Sequence, residues 1–63
     1  MGKDHLSTAA TYNNIGTVMD DKGHTDGALE MLQKCLAIQE KSLGKDHPST
    51  ANTHENIMYL LSN

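Results

Sequence analysis

The residues of this 63-residue chain that could do chemistry are four histidines, one cysteine and a few hydroxyls and carboxylates. His5, His24, His47, His54 and Cys35 carry the nitrogen and sulfur donors of a tetrahedral metal site, which needs three or four of them to converge. Their spacing argues against that use. No two fall four apart on one face of a helix, His5 and His47 are copies of one sequence element, and Cys35 stands in an apolar helical pattern where cysteine serves as a small packing residue. Ser7 and Thr8 beside His5 have the types of a nucleophile and its base. They are near neighbours at the start of a helix, however, and so small a domain lacks a pocket to keep water from them. The expectation is no catalytic residue, no metal and no cofactor. Asp20 and Asp21 break a local rule by standing near a predicted helix C-terminus, where the dipole disfavours carboxylates. They mark either a binding role or a solvated helix end relieved by Lys22.

What positions these residues is a repeat. Residues 2–15 read GKDHLSTAATYNNI and residues 44–57 read GKDHPSTANTHENI, matching at ten of fourteen positions with an offset of 42. A fixed period of this size is the mark of a solenoid unit that cannot bury its apolar face alone. The chain holds one full repeat and half of the next.

Composition narrows the function. Five lysines and no arginine against eight acidic residues give a net charge of −3, the wrong sign for a nucleic-acid or anionic-membrane binder. No apolar run approaches the roughly 20 residues that span a bilayer, and the N-terminus lacks the basic-then-apolar layout of a secretory signal. A lone cysteine forms no internal disulfide, which fits a reducing, cytoplasmic compartment. With no Phe or Trp and four Met, the core is expected to be plastic and the single domain marginal.

Apolar spacing predicts an all-α fold with helices over 7–22, 26–43 and 49–62. On the first, Ala9, Tyr12, Ile15, Val18 and Met19 recur at three and four, with Gly16 among them as a sign that another backbone approaches closely. Gly23 and Gly44 end the first two helices, Thr25 or Asp26 caps the second, Asp46 caps from upstream of the third, and Pro48 opens it. The inner face of the second is Ala28, Leu32, Cys35 and Leu36, and that of the third is Ala51, His54, Ile57, Met58 and Leu61. Short connections make neighbouring helices antiparallel.

Tyr12, Ile15 and Gly16 against Ala28, Leu32 and Cys35, with Gly23 in the turn, resemble the packing positions of the tetratricopeptide repeat. The longer period, the LGKDHPSTA junction and the Asn pair before Ile15 look like its kinesin-light-chain type. The resemblance implies an antiparallel hairpin plus a third helix, about one and a half repeats of an α-solenoid. It also implies a non-enzymatic module that binds a protein or peptide on a concave face of Asn13, Thr17, Asp20, Asn52, Glu55 and Tyr59. Asp20 and Glu55 make that face mildly acidic and suited to a basic or polar peptide. Met58 replaces a small residue, and the chain stops before a partner helix, so the third helix is either a cap or the edge of a piece of a longer array. Met58, Leu60 and Leu61 are then an association face. The alternative function is a structural subunit held in a homodimer or larger assembly.

Overall fold

In the computed structural model, which describes residues 6–62, the chain forms three helices: α1 (Leu6–Asp21), α2 (Thr25–Ser42) and α3 (Pro48–Ser62). They fill a slab of 30 × 23 × 12 Å with α2 in the middle, packed against both α1 and α3. Two core clusters give the directions. Ala9 and Tyr12 at the start of α1 meet Cys35 and Ile38 late in α2, while Met19 late in α1 and Ile57 and Leu60 late in α3 meet Ala28 and Leu32 early in α2. Both outer helices are therefore antiparallel to α2 and parallel to each other, so their C-terminal ends lie at the same end of the molecule.

The helix ends follow from local chemistry. Gly23 adopts φ 85°, a conformation that only glycine enters freely, and the His24 N–H donates to Met19 O (2.8 Å) while the Gly23 N–H donates to Asp20 O (2.9 Å). That pair of bonds is a Schellman closure, and it satisfies two of the carbonyls that α1 would otherwise leave bare. Gly44, at φ 91°, closes α2 through its N–H to Glu40 O (3.2 Å). Two expected caps are replaced. Thr25 lies inside α2, whose cap residue is His24 and makes no side-chain cap bond. At α3 the cap comes from His47 rather than Asp46, because the Ser49 N–H donates to His47 Nδ1 (3.1 Å).

The face of α3 turned inward also differs from expectation. Thr50, Thr53, Ile57 and Leu60 are buried, whereas Ala51, His54, Met58 and Leu61 are exposed. The reason is the neighbour. Shifted by the 42-residue period, Ala51, His54, Met58 and Leu61 correspond to Ala9, Tyr12, Gly16 and Met19, which α1 presents to the helix that follows it. No helix follows α3 within the described residues, so it packs with the stripe that faces the helix before it. The same logic displaces Ile15. Ile57 is 7% exposed against α2, but Ile15 is 42% exposed, because no helix precedes α1 among the described residues.

Candidate functional site

The candidate site is a groove at the end where α1 and α3 finish, floored by α2. Its floor is apolar: Gly16 and the buried Leu32 and Leu60. Thr17 and Asp20 of α1 form one wall and Asn56 and Tyr59 of α3 the other, enclosing about 210 Å³. Gly16 shapes the floor, because α2 comes so close that a Cβ there would lie 3.3 Å from Ala28 O and 3.4 Å from Leu32 Cγ. The Thr17 hydroxyl donates back to Asn13 O (3.0 Å), which leaves its oxygen able to accept from a ligand. Asp20 is half-buried, no lysine lines the groove among the described residues, and Tyr59 is 64% exposed. The chemistry on offer is recognition: one carboxylate, an amide that both donates and accepts, a phenol and an apolar floor.

Of the residues expected on this surface, Thr17, Asp20 and Tyr59 meet in the groove. Asn13 stands one turn back from Thr17, half-buried, with its Oδ1 enclosed and without a hydrogen-bond partner. Asn52 is exposed two turns from Tyr59 on α3. Glu55 points elsewhere: it lines a second groove of about 580 Å³ with Leu36 and Glu40 of α2, Lys45 of the junction, and Ala51, His54 and Met58 of α3. Asn56, Leu60 and Leu32 are groove residues that the sequence reasoning did not place there. For Asn56 a signal existed, since it repeats Asn14 unchanged. Leu60 is also corrected as an association residue, because at 6% exposure it belongs to the core beside α2.

The other chemistry-bearing residues are scattered. Cys35 is fully buried, and its Sγ lies 3.9 Å from Thr53 Oγ1, whose own proton goes to Ser49 O (3.2 Å). Burial pushes the thiol above its ordinary range, and the Thr53 contact opposes that only in part. His24 sits in the α1–α2 turn, His47 at the start of α3 and His54 on its exposed side, while His5 lies outside the described residues. Among the described residues no three of His, Cys, Asp and Glu come together as a metal site would require.

The helical hairpin, the glycine at its close approach and the 42-residue period converge on one family. The family model for the tetratricopeptide repeat matches residues 8–49, a full period of the chain's own repeat. The chain belongs to the tetratricopeptide repeat family. Its extended period makes it the kinesin-light-chain-like type. Tetratricopeptide repeats generally mediate protein–protein interactions. No curated protein is significantly similar to the chain in sequence. Among the described residues, no helix of this tetratricopeptide unit is long and apolar enough to cross a membrane.

Proposed function

We propose that the chain is a non-enzymatic interaction module that binds an extended peptide, or a peptide-like segment of a protein, in the groove between α1 and α3. The observation that carries this is the groove itself: an apolar floor of Leu32 and Leu60 flanked by Asp20 and Thr17 on one side and Asn56 and Tyr59 on the other. Asn56 can pair with a peptide N–H and C=O together, and Tyr59 offers a large exposed ring at low entropic cost. A groove of about 210 Å³ buries less than a standard interface, so affinity is modest. Titration of a peptide library followed by amide chemical shifts tests the reading. Shifts should centre on Gly16, Thr17, Asn56 and Tyr59, and Tyr59→Ala should weaken binding with helicity unchanged, as should Asn13→Ala. Gln33→Ala on the exposed side of α2 should do nothing. Shifts centred on that side of α2 would refute the groove.

A second reading rests on a different observation. Met58 and Leu61 are 54% and 68% exposed on the face that, one period earlier, α1 buries against α2. An uncovered apolar strip on so small a domain favours association, either as a two-fold homodimer or as a subunit of a larger assembly. Sedimentation equilibrium distinguishes the two readings: a helical species that stays monomeric at every concentration rules out self-association. Reversal of any association by Met58→Lys would locate it on this face.

A further inference from the structure

The groove's electrostatics go further than its shape, and the inference drawn from them rests on the peptide-groove reading above. α1 and α3 both end at the groove, so both present the negative ends of their dipoles there. Helices of soluble proteins usually place a basic residue in the last turn to offset this end. Neither α1 nor α3 has one within the helix, and Lys22, the first residue past α1, is exposed and does not line the groove. Asp20, in the last turn of α1, adds a full negative charge where the dipole already disfavours it, and it does so in the groove wall with no lysine among the lining residues. The half-buried position of Asp20 keeps water from screening it completely. Below it lies the apolar floor of Leu32 and Leu60, and across from it the exposed ring of Tyr59.

One kind of side chain satisfies all three surfaces: an apolar stem that covers the leucines, a cationic head that reaches the carboxylate, and a charge that a ring face attracts. We propose that the groove anchors its peptide partner through a single basic side chain, arginine before lysine, with the cation on Asp20. Arginine is preferred because its planar, weakly hydrated guanidinium pairs with a carboxylate in two parallel bonds and also lies flat on an aromatic ring. Asn56 supplies a further carbonyl acceptor in the opposite wall. The unfavourable local charge of the free protein is thereby matched by the charge of its ligand.

The test uses blocked alanine-rich peptides that differ only in a central Arg, Gln or Glu, titrated against the full chain and read from amide shifts. The Arg peptide should move the amides of Gly16, Thr17, Asn56 and Tyr59 and bind roughly tenfold more tightly than the Gln peptide, as a charge-assisted pair predicts. The Glu peptide should bind least, and added salt should narrow the gap. Asp20→Asn, whose helicity is checked by circular dichroism, should erase the preference for Arg over Gln, and Asp20→Glu should keep it. Equal binding of the Arg and Gln peptides in the groove, or a preference that survives Asp20→Asn, overturns the basic anchor and leaves the peptide groove standing. Arg-dependent shifts centred on Glu40 and Glu55 place the cation in the other groove and overturn it as well. If neither these peptides nor the library move the groove amides, the anchor and the groove reading fall together.

Discussion

Substitution of Gly16 tests the hairpin packing on which the groove depends. An added Cβ would lie 3.3 Å from Ala28 O and 3.4 Å from both Leu32 Cγ and Met31 Cβ. These distances are a few tenths of an ångström inside comfortable contact, and the nearest atom is a backbone oxygen in the interior of α2 that cannot yield unless the helix moves. For Gly16→Ala the strain is set against a gain of about 1 kcal/mol in helix propensity, so the two nearly cancel. For Gly16→Leu three further carbons enter space that is already closed, and the overpacking costs about 1–3 kcal/mol. A domain of this size loses roughly 4–8 °C of melting temperature per kcal/mol, and its total stability is only about 3–5 kcal/mol. The Leu variant should therefore melt on the order of 5–20 °C lower by circular dichroism, with Gly16→Ala within a few degrees of the parent. Asn14→Leu, on the exposed side of the same helix, should change little. A Gly16→Leu protein as stable as the parent would refute the close approach of α1 to α2.

Three other expectations are independent of that contact. At Gly27, in the first turn of α2, an added Cβ meets only the terminal methyl and sulfur of Met19, which can swing aside, so Gly27→Ala should stabilise by up to about 1 kcal/mol in a denaturant melt. Cys35 should resist thiol reagents in the folded protein. Because its folded pKa is raised, its contribution to stability is complete below the ordinary thiol range and is lost as pH rises from that range up through the raised folded value, which melts in alkaline buffers should show and a Cys35→Ala variant should not. His47→Ala removes the acceptor for the Ser49 N–H and should cost up to about 1 kcal/mol, most visibly as faster amide exchange in the first turn of α3.

Much of the fold was legible in the order of residues because the signals concerned are local. Gly23 and Gly44 need no distant partner to end a helix, since a positive φ that glycine accepts closes the last turn with its own carbonyls. Pro48 has its φ set for the first turn of α3 wherever that helix packs. Of the residues recurring at three and four on α1, Ala9, Tyr12 and Met19 do face α2 while Ile15 and Val18 do not, and Gly16 announced the approach of α2, because a missing side chain inside a helix has few other uses.

What the order of residues left open was which of two apolar stripes each repeated helix would bury. Ile15 and Ile57 occupy the same place in the repeat, yet one is 42% exposed and the other 7%. Val18 and Leu60 differ in the same way, at 52% and 6%. Met58 and Leu61 lie open where Gly16 and Met19 do not. The groove residues followed from that choice: once α3 laid Ile57 and Leu60 on α2, Asn56 and Tyr59 turned toward α1 while Glu55 turned away. Helix formation depends on bonds within a few residues, so the chain's own order decides it. Burial depends on which helix lies alongside, and that is a property of the assembled neighbours, identical sequence notwithstanding.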